Sequence, residues 1–331
     1  MRAINVLLVG LLAGPAFAVE GQPLAAYQAV EIEIEQIVER WRALPTQDPK
    51  VLTKELVKIG GRAEPYLCQL LNGAGREDLI VPVITTLGEV ATTIRSVQVI
   101  GGLLDSKEDK HRVSCVNALG RQGTPEAVPF VLVALDDQAK VVRASAAVVL
   151  EDLVRKKPKL RMVRRLRKVQ RTLKHPDQFA LLLGRLGTKD TREMLCGLLS
   201  FGHTEGERLA GLSGLWIGGK PGDGADVRQL LNSQPSIPVR RKACLVLGNL
   251  GDKQAIRDLI DNLHSDNAGL VSDAHWALRR LTKLRLPPNT DLWEAWWDRV
   301  GSKAKPISVF LTLASPDQLG PSAPMNPEDW R

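Results

Sequence analysis

Residues 118–137 read ALGRQGTPEAVPFVLVALDD, and residues 246–265 read VLGNLGDKQAIRDLIDNLHS. The two stretches align without a gap at an offset of 128. Leu119, Gly120, Gly123, Ala127, Val128 and Leu135 fall on Leu247, Gly248, Gly251, Ala255, Ile256 and Leu263. Self-similarity of this kind marks a repeat architecture, in which each unit buries its apolar face only against its neighbours. The Leu-Gly step recurs at Ile59-Gly60, Leu87-Gly88, Leu119-Gly120, Leu186-Gly187 and Leu247-Gly248, with degenerate copies at Leu150-Glu151, Leu215-Trp216 and Leu278-Arg279. Successive copies are 28, 32, 31, 36, 29, 32 and 31 residues apart.

Each unit has one grammar. A helix ends at the Leu-Gly, a short turn such as Gly123-Thr124-Pro125 follows, and a second helix runs through Val128, Val131, Leu132 and Leu135. An acidic break, Asp136-Asp137, precedes the next helix, VVRASAAVVL (141–150). Glycine after the last apolar residue suits a left-handed helix cap, so Gly120 and Gly248 are expected at helix C-termini with positive φ. Pro125 suits a first helical turn. Ala144, Ala146 and Ala147 allow helices to stack closely.

Val142-Arg143 and Ala146 before the Leu, Ala127-Val128-Pro129 after the turn, and Asp136 or Asp137 between units carry a resemblance. In these residues the chain resembles bacterial HEAT-repeat proteins, specifically the short-unit type named after phycobilisome lyases, across residues 50–285. The resemblance implies an all-α, right-handed α-solenoid of seven to eight helix pairs, with a surface that binds a partner. Handedness comes from the resemblance alone.

The flanks read as caps. In residues 19–49, Tyr27, Val30, Ile34, Ile37, Val38 and Trp41 share one helical face, with Glu31, Glu35 and Glu39 opposite. In residues 286–301, DLWEAWWDRV (291–300) places Trp293, Trp296 and Trp297 at i, i+3 and i+4 as an aromatic plug, and Asp291 with Glu294 has capping-box spacing. Residues 302–331 carry five prolines and read as an irregular tail. Residues 1–18 have the form of a secretory signal peptide: Arg2, an apolar run from Ile4 to Ala13, Pro15, and an A-x-A site at Ala16-Phe17-Ala18. Export to the periplasm or beyond is therefore expected.

A search for chemistry finds little. Cys68, Cys115, Cys196 and Cys244 are widely spaced within apolar patterns, with no C-x-x-C. They read as buried thiols, with one bridge between neighbouring repeats left open. None of the five histidines lies in H-E-x-x-H, and no G-x-S-x-G exists, although GLSG (211–214) comes close. His203, Glu205 and Glu207 fall in an inter-helix turn. GGKPGDG (218–224) lacks the G-K-[ST] ending and preceding strand of a phosphate loop, and reads as a turn insertion. No catalytic, cofactor or metal residue is expected.

The longest spacing contains RKKPKLRMVRRLRKVQRTLK (155–174), with eleven Lys or Arg and no Asp or Glu. The whole chain carries +8, so the other 311 residues net −3. On a helix over 159–174, Met162, Val163, Leu166, Val169 and Leu173 form one arc. Arg161, Arg164, Arg165, Arg167, Lys168, Arg171 and Lys174 occupy the other side. Helix stability does not account for this, because cations in the first turn oppose the macrodipole and i,i+4 like charges repel. Two readings stand: a solvated basic face, alone or paired to Glu151 and Asp152, or an anion-binding patch.

Taken together, the expectation is a non-catalytic exported scaffold whose partner is a protein or an acidic polymer. The alternatives are nucleic-acid binding, as in HEAT-like DNA glycosylases, which export disfavours; an anionic membrane bound through the basic helix; and a phycobilin-type lyase, which a signal peptide also disfavours.

Overall fold

The computed structural model describes residues 24–71, 77–157, 161–200 and 202–300. The signal-peptide pattern (1–18) and the proline-containing tail (302–331) lie outside them. The described residues are helical with short 3₁₀ turns and include no strand. The chain is an all-α solenoid, divided into two compact units at Ala127/Val128.

In the first unit, α1 (Leu24–Arg42) is followed by α2 (Pro49–Ile59), α3 (Glu64–Leu71), α4 (Glu77–Val90), α5 (Ile94–Gly102) and α6 (Asp109–Gln122). The alternate helices α2, α4 and α6 stack side by side, and α3 packs on α5 in a second layer. On α1, Val30, Ile34, Ile37, Val38 and Trp41 are all buried, as their spacing predicts. The opposite glutamates are not simply solvated: the Tyr66 hydroxyl donates to Glu35.

The second unit contains α7 (Val128–Val133), α8 (Lys140–Lys156), α9 (Met162–Val169), α10 (Pro176–Leu186), α11 (Lys189–Gly197), α12 (Glu205–Gly218), α13 (Gly224–Asn232), α14 (Ile237–Leu250), α15 (Ile256–Asp261), α16 (Ala268–Thr282) and α17 (Thr290–Val300). Here α8, α10, α12, α14 and α16 form one layer, each on the next, while α9 meets α11 and α13 meets α15 in the other. Trp293 on α17 is fully buried against His275, and its Nε1 donates to Pro287 O at 2.9 Å. Of the three tryptophans expected to form a plug, Trp293 is buried and Trp296 and Trp297 are half-buried, and the predicted capping box is not formed. Asn289 Oδ1 accepts from Leu292 N at 3.0 Å, and Glu294 instead faces Arg257 and His264.

The repeat boundaries differ from the expected ones by three residues. Gly120 and Gly248 lie inside α6 and α14. The left-handed caps are Gly123 (φ 53°) and Gly251 (φ 76°). Gly248 is there for a different reason. A Cβ at that position would sit 2.8 Å from Ala277 Cα and 2.9 Å from Trp276 Cζ3, so its bare backbone lets α16 close on α14. Trp276 thereby reaches Trp216 on α12, ring centroids 6.0 Å apart. Leu186-Gly187 does end its helix as expected, with φ 57°. Pro125 occupies the turn before α7 rather than its first turn.

Arginine at the start of the long helices has a repeated job. Arg112 Nη1 donates to the Ser106 and Lys107 carbonyls, and Arg143 Nη1 donates to those of Asp137 and Gln138, 31 positions on. Each guanidinium satisfies the carbonyls left over where the preceding short helix stops. Arg143 also grips Asp177 of the following repeat through Nε and Nη2, at 2.9 and 3.0 Å.

Candidate functional site

The basic segment is helical over a shorter stretch than its pattern implies. α9 spans Met162–Val169, and the chain then turns, with Thr172 N donating to Val169 O at 2.9 Å. Pro176 at the start of α10 biases His175 away from helical backbone. Asp136 Oδ1 holds the backbone N–H groups of both Lys174 and His175 at 2.8 Å. These anchors end the helix before Arg171 and Lys174. At the other end Arg161 is the N-cap in left-handed backbone (φ 48°), with no side-chain capping bond. Met162 and Leu166 are buried and fix α9 to the repeat core.

The seven cations separate into two stripes. Arg161, Arg164, Arg165 and Lys168, at i, i+3, i+4 and i+7, line an open groove of about 480 Å³ whose apolar wall is Pro129, Leu132 and Val169. No carboxylate among the described residues pairs with any of these four. Arg167 leans toward Asp190 (3.6 Å) and Glu193 (4.0 Å). Arg167 and Arg171 border a separate depression of about 340 Å³ with Gln170, Glu193 and Met194. Lys174 is exposed near Asp136, to which its backbone is bonded.

Glu151 and Asp152, the nearest acids in sequence, are already engaged. Glu151 pairs with Arg155 (2.8 Å) and Arg185 (2.6 Å), and Asp152 with Lys156 (2.8 Å). The start of the basic run is thus neutralised within α8 and α10, whereas the groove cations are left facing solvent. Four like charges on one helical face add their fields over a concave, partly apolar surface, an arrangement that concentrates anions. The sequence places Leu132 among the apolar positions of the second helix of its unit and gives Pro129 no part in a groove. That α7 leaves them beside α9 is a tertiary fact with no local signal.

The other expected or excluded sites resolve as follows. Glu207 closes a capping box with Thr204 at the start of α12. The Thr204 backbone N–H, with smaller help from His203, holds the Glu207 carboxyl below its usual range. GGKPGDG forms a 3₁₀ turn, and its Asp223 meets Arg192 at 2.9 Å. All four cysteines are free thiols. Burial pushes Cys68 up to about 11 and Cys115 to about 12, so both act as small apolar groups.

Sequence reasoning missed Lys242. It lies in a groove of about 300 Å³ on α14, among Leu209, Ile237, Pro238 and Leu245, and its ammonium donates to Ser213 Oγ. Burial lowers it to about 8. Ser213 is the serine of GLSG, but its own hydroxyl donates to Leu209 O at 2.7 Å. That proton is committed to the backbone, so the pair lacks the serine-to-base hydrogen bond that nucleophilic activation needs.

Two family models match parts of the chain: HEAT repeats over residues 64–151 and the PBS lyase HEAT-like repeat over residues 239–265. Among curated proteins none matches. Solved structures similar to the chain include human deoxyhypusine hydroxylase in complex with glycerol, at 17% identity and a TM-score of 0.34, covering 78% of this chain and 98% of that one. The CpcE–CpcF complex of phycocyanin lyase from Nostoc sp. is 17% identical with a TM-score of 0.30, covering 71% and 93%. An engineered protein is 15% identical with a TM-score of 0.28, covering 76% and 97%. HEAT repeats are thus matched over residues 64–151 and a PBS-lyase-type HEAT-like repeat over residues 239–265, both within helical parts of the chain.

Proposed function

We propose that the chain is a non-catalytic, exported binding protein that captures an acidic partner, most readily an acidic segment of another protein, in the groove beside α9. The observation that carries this reading is the set of four cations, Arg161, Arg164, Arg165 and Lys168, around an open groove with no described carboxylate paired to them. Export rests on the pattern of residues 1–18. Repeats of this type commonly supply binding surfaces, which supports a scaffold role in preference to an active site.

Insertion into an anionic membrane is less well supported. It would need the apolar arc of α9, and Met162 and Leu166 are buried in the core. No helix among the described residues is long and apolar enough to cross a membrane.

The test is binding of a fluorescent polyglutamate peptide at low and raised salt. Binding that weakens steeply with salt is expected, because the attraction is screened over about 8 Å at physiological ionic strength. Salt-insensitive binding, or none at low salt, would show that the cations are only a solvated face. For export, mass spectrometry of protein recovered from the producing cell should find Val19 at the N-terminus. Retention of Met1 would refute that part of the reading.

A further inference from the structure

A further cavity, of about 270 Å³, lies between α11, α12 and α13. A water molecule's share of liquid volume is about 30 Å³, so the space accommodates a small organic molecule. Cys196, Leu199 and Leu230 supply apolar wall, Ser200 and Gln229 border it, and Arg208 and Asp226 bring opposite charges into it. Arg208 Nε is buried without a hydrogen-bond partner. Among the described residues, no carboxylate lies within the 4.0 Å ion-pair distance of the Arg208 guanidinium. Asp226 borders the same cavity yet is not paired with Arg208.

Buried polar nitrogens in folded proteins have partners, and Arg208, a residue of the cavity wall, keeps one donor unfilled. A simple anion on Arg208 would be repelled by Asp226, and a simple cation on Asp226 would be repelled by Arg208. A ligand bearing both charges satisfies both residues.

We propose that this cavity binds a small zwitterion of the α-amino-acid class, its carboxylate on the Arg208 guanidinium and its ammonium on Asp226. The guanidinium fork matches a carboxylate in geometry. The wall formed by Leu199 and Leu230 takes a small apolar side chain. The inference is independent of the groove beside α9, and the site would operate whether or not that groove binds anions.

The experiment is isothermal titration of the full chain with L-alanine, and in parallel with propionate and propylamine, which each carry one of its two charges. Alanine is expected to bind and to raise the melting temperature, with at least tenfold weaker binding of either single-charge analogue. Arg208→Gln and Asp226→Asn should each weaken alanine binding at least tenfold. Asp226 is exposed and Asn is nearly isosteric, so that variant keeps the test open if Arg208→Gln fails to fold. Arg164→Glu with Arg165→Glu and Lys168→Glu should leave alanine binding unchanged. No binding of alanine, binding unaltered by both cavity variants, or propionate bound as tightly as alanine would each overturn the proposal.

Discussion

Gly248 and Gly251 are three residues apart and are glycine for different reasons. At Gly251 the backbone is left-handed, a conformation that costs an alanine about 1 kcal/mol. At Gly248 the backbone is helical and the constraint is the 2.8 Å approach to Ala277 Cα. Gly248→Ala should therefore destabilise by about 1–3 kcal/mol, as overpacking does, and should perturb Trp276 fluorescence. Gly251→Ala should cost about 1 kcal/mol without that optical change. Urea denaturation followed by fluorescence distinguishes the two. The Leu-Gly repeat was plain in the sequence, but its meaning was not. A glycine that admits a neighbouring helix and one that caps its own helix look alike until the packing partner is known.

Lys242 makes a second prediction at this scale. Its pKa is lowered in the folded chain to about 8, whereas the unfolded chain keeps the ordinary value near 10.4. Between these values the unfolded state binds the extra proton, so stability rises with pH across that window. Below pH 8 the full cost of burying the ammonium is present. Lys242→Met should stabilise the protein at pH 7 by about 1–3 kcal/mol, and its advantage should shrink as pH rises from 8 to 10. Urea midpoints at pH 7 and pH 10 check this. A constant difference would mean that the ammonium is well solvated.

Among the elements, α8 shows how successive repeats are joined. Arg143 bonds two carbonyls of the preceding turn and the Asp177 carboxylate of the next repeat. Burial tends to raise Asp177, but the Arg143 hydrogen bonds outweigh it and hold the carboxyl below its usual range. That contribution is present above about pH 4 and is lost as pH falls through the lowered folded-state value. Arg143→Ala should cost about 2 kcal/mol at pH 7, with a smaller difference from the parent protein in acid, measurable by thermal melts at both pH values. The Val-Arg signature was legible in the sequence as a mark of the repeat, while its bonding was not.

The same scale explains α9. Its amphipathic pattern ran on to Lys174, but Asp136 and Pro176 stop the helix at Val169. One expected face of seven cations becomes a groove stripe of four and a separate stripe containing Arg167, Arg171 and Lys174. The i, i+3, i+4, i+7 spacing of the four was visible in the sequence. Pro129 and Leu132 on the opposite wall were not, because they come from α7. Arg161 holds a left-handed backbone that asparagine adopts more readily. Arg161→Asn should raise the melting temperature slightly while weakening polyglutamate binding.

At the scale of the whole molecule, a net charge of +8 arises from a chain whose remaining residues net −3 outside one segment of twenty. The helical repeat array, the helices that flank it and the location of that segment could be read from periodicity and composition, since each reflects local sequence. The charge pairing could not: Glu151 and Asp152 bond to Arg155, Arg185 and Lys156, and only the folded arrangement of α8 and α10 shows that they leave the groove cations alone. Binding to the groove should be a property of the array's surface, separable from its stability. The most direct test is the affinity of the polyglutamate peptide as a function of salt, for the parent protein and for Arg164→Glu with Arg165→Glu and Lys168→Glu. The parent should lose affinity steeply as salt rises. The triple variant should not bind at any salt, yet should melt at the same or a slightly higher temperature, because like-charge repulsion along α9 is relieved. Equal affinity and equal salt dependence in the two proteins would contradict the account.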